Sequence, residues 1–274
     1  MSKVLTGLSV VIVTYNAPEQ LRACLRYLRR SLWATDEVIV VDDGGSVSGV
    51  DRIVEEVLQG QPASWRYHYH GPTTTQFRLA AARNIGLRYA SRSRVLCLDG
   101  DCLPDASMLS YHRHITPFVL LCGLREHIKT PVAEINALPV QDSFSTLGAR
   151  EPDERYRLKG GVYQRSYELL KANKYGSVHY RACWGFQMSF PLHTACAIGG
   201  FNEEFETYGG EDQEFAGRMQ QTGLLLDIDP RAICYHLAHP RRSGDWQRQV
   251  AESLERKSPM RNGGPLHLIN VNQE

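Results

Sequence analysis

Short, wholly apolar runs separated by helix-patterned stretches constrain this chain more than any other feature. Leu8 to Val13 is apolar apart from Ser9, Val38 to Val41 is apolar throughout, and Val95-Leu96-Cys97-Leu98 is a third such run. Runs of this length read as buried strands. Between the first two, Leu21, Cys24, Leu25, Leu28 and Leu32 recur at helical spacing, with Arg22, Arg26, Arg29 and Arg30 among them. That is a helix with one buried face. A helix over about Val50 to Leu58, a strand over Trp65 to Tyr69 and a helix centred on Ala80 to Leu87 continue the alternation. Strands with no polar face must be covered on both sides. The predicted fold class is therefore α/β, a mostly parallel central sheet with helices on both faces.

Composition narrows the partners. Lys and Arg total 31 against 30 Asp and Glu, so no overall field draws the chain to nucleic acid or a membrane surface. With 274 residues it can bury one large α/β domain or two small ones. The seven cysteines are scattered without a C-x-x-C pair, which predicts reduced thiols, with Cys97 and Cys122 acting as small core hydrophobes. Met1 to Thr6 lacks the apolar core of a signal peptide, and no run approaches membrane-spanning length. The expectation is a cytoplasmic protein with no transmembrane segment.

From about Arg125 to Arg181 the periodicity dissolves into Tyr- and Arg-rich sequence with turn residues at Gly148, Pro152, Gly160 and Gly161. A stretch that long predicts a functional loop or flap, with Tyr156, Tyr163, Arg165 and Tyr167 as contacts. Order returns at Trp184 to Phe190. The expected organisation is one domain over 1–240, with 125–181 as an insertion or flap. A basic, polar tail over 241–274 is a candidate lid.

Asp99-Gly100-Asp101 directly follows the third apolar run, which delivers both acids to a strand's C-terminal end, where open α/β sheets place their ligands. Two carboxylates so close repel unless a cation or strong hydrogen bonds lie between them. Oxygen ligands of this kind suit Mg²⁺ or Mn²⁺ shared with substrate phosphates. Asp43 ends another strand beside a glycine, in the crevice expected to hold Thr14 and Tyr15. Arg78 and Arg83 flank a helix start before Asn84, and guanidinium groups suit diphosphate oxygens. Glu211-Asp212 opens a helix after Gly209-Gly210, which permits close backbone approach to a ligand, and Tyr208 offers an aromatic wall. A carboxylate at a helix N-terminus is expected to keep a low pKa.

In order, Thr14-Tyr15-Asn16, Asp42-Asp43-Gly44 and Asp99-Gly100-Asp101 resemble the family 2 glycosyltransferases of the GT-A fold, the nucleotide-diphospho-sugar transferase fold. Gly209-Gly210-Glu211-Asp212 adds a likeness to β-1,4-galactosyltransferase-type enzymes. The resemblance covers roughly 8–240, excepting about 125–180. It implies a nucleotide site of Thr14, Tyr15, Asn16, Asp43, Arg78, Arg83 and Asp99, with Asp43 accepting the uracil imide N–H and Tyr15 stacking on the base. It implies metal ligation by Asp99, Asp101 and His236, with His239 as the rival histidine. Asp212 is then the general base, and Glu211, the second catalytic acid, contacts the acceptor or orients the loop. Trp184, Gly185, Tyr208 and Gly210 would line the acceptor side, which the 125–181 segment would cover.

The expectation is a metal-dependent inverting glycosyltransferase, using Mn²⁺ or Mg²⁺ and a nucleotide sugar such as a UDP-sugar. Its acceptor could be a glycan, small molecule, lipid-linked sugar or peptide. One alternative is a sugar-1-phosphate nucleotidylyltransferase, which needs a glycine-rich basic loop that Val13 to Pro18 does not offer. The other is a non-catalytic nucleotide-sugar-binding protein, for which retention of Asp99, Asp101 and Asp212 would have no purpose.

Overall fold

A computed structural model describes residues 7–45, 47–72, 78–140, 150–152, 175–176, 178–206, 209–238, 266 and 268. The first half alternates as its patterning requires. Strand β1 (Leu8–Thr14) leads through helix α1 (Pro18–Leu28) to β2 (Glu37–Asp42), α2 (Val50–Leu58), β3 (Ser64–Tyr69), α3 (Leu79–Tyr89) and β4 (Arg94–Asp99). Pro18 starts α1 at a position where its missing N–H costs nothing. These strands pair parallel in the order β3-β2-β1-β4. The chain thus reverses direction across the sheet between β1 and β4, and a crevice opens at their C-terminal ends.

Beyond β4 the sheet is mixed. After β5 (Cys102–Pro104) and α4 (Met108–His114) come β6 (Val119–Ile128), α5 (Val132–Ala137), β7 (Arg150–Pro152) and β8 (Gln187–Pro191). Then follow α6 (Leu192–Ala197), α7 (Glu211–Gln221) and β9 (Leu225–Leu237). The sheet continues β4-β8-β6-β9-β5, with β7 on β6. Strands β6 and β9 run with β1 to β4, while β8, β5 and β7 run against their neighbours. The patterned break expected at Arg125 comes later, because β6 holds its pairing with β9 through Ile128. The contacts expected of Tyr156, Tyr163, Arg165 and Tyr167, and most of the 125–181 flap and the 241–274 tail, lie outside the described residues.

The pleat sorts the core. Val11, Ile39, Val41, Val95 and Cys97 pack beneath α3 and α7, whereas Val10, Ile12, Val38, Val40, Leu96 and Leu98 pack beneath α1, α2 and α4. Helices therefore cover both faces. Cys97 and Cys122 are buried free thiols within this core.

One polar group is sealed under the sheet. His112 on α4 is fully buried, its Nε2 2.9 Å from Gln187 Oε1 and its Nδ1 2.9 Å from Ser189 Oγ. The Gln187 amide donates to the Leu124 and Ala232 carbonyls, so its oxygen must accept and the His112 proton sits on Nε2. Burial pushes the His112 pKa down to about 4 from the usual 6.5. A histidine that charges more readily unfolded than folded contributes stability above pH 6.5, and that contribution drains away as pH falls towards 4. His112→Asn should therefore be less stable than wild type at pH 7.5, and the gap should narrow by about 2–3 kcal/mol at pH 4.5. Urea unfolding at both pH values measures it; a gap independent of pH would refute it.

Candidate active site

The crevice is built from three strand ends and one helix start. Main-chain bonds draw the strand ends together: Asp43 N donates to Thr14 O at 2.9 Å and Gly100 N to Val13 O at 3.2 Å. Asp43 is buried, with His70 Nδ1 2.9 Å and Arg78 Nε 3.1 Å from its Oδ1. Arg78 Nη2 also donates to the carbonyls of Asp43 (2.7 Å) and Gly71 (2.9 Å). Ion pairing thus makes Arg78 hold this loop against Asp43 and Gly71. Gly44 has φ +79°, and a Cβ there would sit 1.6 Å from the Gly71 oxygen, so only glycine lets the two loops meet.

Thr14 is buried and its Oγ1 has no hydrogen-bond partner among the described residues. Tyr15 is half-buried, and exposed Asn16 takes the left-handed φ of 50°, its Oδ1 accepting from Val47 N at 3.2 Å.

Asp101 and His236 meet because β5 and β9 pair. The register sets Cys102 opposite His236, Leu237 N donates to Asp101 O at 2.9 Å, and His236 Nε2 lies 3.4 Å from Asp101 Oδ2. Asp99 is turned elsewhere: its Oδ1 is 3.3 Å from Arg83 Nη2. Among the described residues no group of three or more His, Cys, Asp or Glu side chains converges as a metal site. Of the expected Asp99, Asp101 and His236 set, the fold brings Asp101 and His236 together, while Asp99 pairs with Arg83. The Asp101–His236 pair remains a fitting donor set, since a divalent ion in such sites takes most other ligands from phosphates and water. His239 lies outside the described residues.

Arg83 is 3% exposed. Its Nη1 donates to Glu211 Oε1 at 3.0 Å, and its Nη2 to Asp99 and, at 3.2 Å, to Gly185 O. The buried guanidinium thus bridges the partly exposed Asp99 and the buried Glu211. Burial outweighs the attraction of Arg83 and raises the Asp99 pKa, with Asp101 adding to the rise.

Helix α7 opens after Gly210, its N-cap at φ 97°. Asp212 is half-buried, its Oδ2 accepting from Gly185 N at 2.7 Å and its Oδ1 from Gln213 N at 2.8 Å. Desolvation raises its pKa despite Arg83 and these amides, so the low pKa expected of a helix N-terminus does not hold. Glu211 is buried and pushed up to about 7 by desolvation and by Asp212, with Arg83 opposing. Its Oε2 has no partner among the described residues. Trp184 is half-buried beside Gly185, and Tyr208 lies outside the described residues.

His70 and His127 both escaped sequence reasoning. His127 stands opposite His236 in the β6–β9 register, their rings edge to face at 5.1 Å. It sits in a polar stretch with no periodic signal. Arg125, two residues before it, lies over the Phe186 ring at 4.7 Å.

Comparison with known proteins bears on the same regions. Residues 9–112 match the family model described as glycosyl transferase family 2, and 169–240 match that of the N-terminal domain of galactosyltransferase. Chondroitin synthase of Escherichia coli is 26% identical over 266 residues, 92% of this chain and 38% of that protein. The mannosyltransferase PcManGT of Pyrobaculum calidifontis, solved with GDP-Man and Mn²⁺, superposes with a TM-score of 0.59 at 17% identity, covering 89% of this chain and 60% of its own. S. aureus TarS 1-349 with UDP-GlcNAc gives 0.58 at 16% identity, covering 86% and 60%. The chain thus spans less than two thirds of each of these relatives, and the solved structures share its GT-A fold.

Proposed function

We propose that this chain is a glycosyl transferase family 2 enzyme that transfers a sugar from a nucleotide-sugar donor to an acceptor hydroxyl. One observation carries the reading. Asp43 and Asp101 follow the C-terminal ends of β2 and β4, His236 is paired with Asp101, and Gly185 and Arg83 link Asp212 to Asp99. That arrangement supplies a base-recognition carboxylate, a cation site for a diphosphate and a general base.

A uridine nucleotide fits best. His70 Nδ1 and Arg78 Nε both fall on Asp43 Oδ1, leaving the other carboxylate oxygen for the base. The uracil imide offers one N–H, whereas guanine presents adjacent N1–H and N2–H groups that would need both oxygens. Thr14 Oγ1 and Tyr15 complete this end of the crevice. Asp101 and His236 would hold Mn²⁺ or Mg²⁺, the nitrogen ligand favouring Mn²⁺. When bound, such an ion supplies positive charge to balance the departing diphosphate.

At the other end Asp212 takes the proton of the acceptor hydroxyl as that oxygen attacks C1 from the face opposite the diphosphate. The configuration inverts through an oxocarbenium-like state, in the manner of glycoside chemistry. Trp184 offers an aromatic face to the acceptor. The free cysteines fit a cytoplasmic location, and among the described residues no helix is long and apolar enough to cross a membrane.

Nucleotide release from a panel of UDP-sugars and GDP-mannose, with and without Mn²⁺, tests the reading. We expect Mn²⁺-dependent release of UDP only. Turnover of GDP-mannose alone would remove the uridine assignment, and binding without turnover of any donor would leave a non-catalytic binding protein. Pyrophosphate release from UTP and a sugar 1-phosphate would favour a nucleotidylyltransferase.

A further inference from the structure

Arg83 is a polar residue sealed inside the protein between the two halves of the site, and its three acceptors lie on three separate segments. Asp99 ends β4, Gly185 precedes β8 and Glu211 begins α7. Gly185 continues the chain of contacts, because its carbonyl receives Arg83 while its N–H donates to Asp212 Oδ2 at 2.7 Å. The next residue closes the loop, Asp99 N donating to Phe186 O at 3.0 Å. We infer that Arg83 is a positioning residue that couples the Asp99 carboxylate at the donor end of the crevice to the Asp212 carboxylate at the acceptor end. This rests on the reading of the crevice as a glycosyl-transfer site, although the coupling itself is a property of the protein without ligands.

Three physical features support the coupling. The guanidinium is rigid and planar, so a pull on one side is answered on the other, whereas a lysine ammonium would meet these divergent acceptors as a single point charge. The surroundings leave little room to absorb a shift: a Cβ on Gly185 would lie 2.5 Å from Nη2, and the Phe201 ring lies 5.3 Å from Cζ. Lastly, two carboxylates share one buried cation. Positive charge placed beside Asp99 weakens its hold on Arg83, and the arginine can then respond only towards Glu211 and Gly185. The backbone that presents Asp212 thereby senses the charge state of the donor end.

Hydrogen exchange at the Gly185 and Gln213 amides, which both donate to Asp212, tests this in the ligand-free full chain. Asp99→Asn should change exchange at these two amides by about tenfold, the scale of one lost charged hydrogen bond. In an Arg83→Lys background the same substitution should change it by less than about twofold, because the link is already broken. Equal effects in both backgrounds would overturn the coupling. If Arg83→Lys does not fold, Glu211→Gln cuts the same triad while keeping the arginine, and its effect with Asp99→Asn should likewise be non-additive. Kinetics add a second readout: Arg83→Lys should lower kcat while donor KM stays within about twofold. A wild type that turns over no nucleotide sugar would refute the proposed activity, and the exchange cycle would still decide the coupling.

Discussion

Asp212→Asn slows sugar transfer by about 10²–10⁴-fold and leaves nucleotide-sugar affinity unchanged, if this carboxylate removes the acceptor proton. Asparagine preserves the shape, and its one remaining oxygen can still accept from Gly185 N or Gln213 N. What it cannot do is take a proton. The pH dependence separates chemistry from structure. Burial raises the Asp212 pKa, so its base form is lost, as pH falls, earlier than for an exposed aspartate. The wild-type rate should therefore drop on acidification beginning above the usual carboxylate range, and the residual rate of the variant should lack that limb. Initial rates from pH 4.5 to 8.5, with donor binding followed by calorimetry, supply both tests. Should Glu211→Gln prove the more damaging change, the two acids exchange roles, a result its pKa of about 7 would make intelligible.

Asp101→Ala is expected to remove the Mn²⁺-dependent part of UDP affinity entirely. The main chain of Asp101 is secured independently, because its carbonyl accepts from Leu237 N at 2.9 Å. Truncation should therefore delete a ligand without moving the strand. His236 would be left as a lone nitrogen donor, and a diphosphate would face the crevice with no bridging cation. Calorimetric titration of UDP in Mn²⁺ and in EDTA should give the same weak affinity for the variant and different affinities for the wild type. Undiminished Mn²⁺-dependent binding would make Asp99-Gly100-Asp101 an ordinary turn. Asp99→Ala should act differently, because that carboxylate is held by Arg83.

The sequence carried the parallel half of the fold and the order of its acids along the chain. Helices α1, α2 and α3 were legible because apolar residues recur at 3.6-residue spacing, and β1, β2 and β4 because their apolar runs are broken only by Ser9. What could not be read was whatever depends on pairing between distant segments. The reversed direction of β8 follows from its place between β4 and β6, a choice no local pattern encodes. Strand β6 runs on past Leu124 through Arg125, Glu126 and His127, whose polarity hides the strand. Arg83 illustrates the same limit at the site. An arginine at a helix start reads as a phosphate ligand, and only the tertiary fold turns it inwards between Asp99 and Glu211. The pKa of Asp212 went the opposite way from its expectation because the helix dipole is a local effect and burial is a global one.

The position of β8 also has a bearing on how the chain is made. Strand β4 is complete at Asp99, but the strand that shields its outer edge begins only at Gln187, and β9, which brings His236 to Asp101, comes later still. During synthesis from the N-terminus, the four parallel strands can assemble while β4 presents an open row of amides and carbonyls to its surroundings. Such an edge is a template for strands of other chains. Chaperone demand and aggregation should therefore fall in the interval between those two segments on the ribosome, and a chain halted there would hold half a sheet and no catalytic centre.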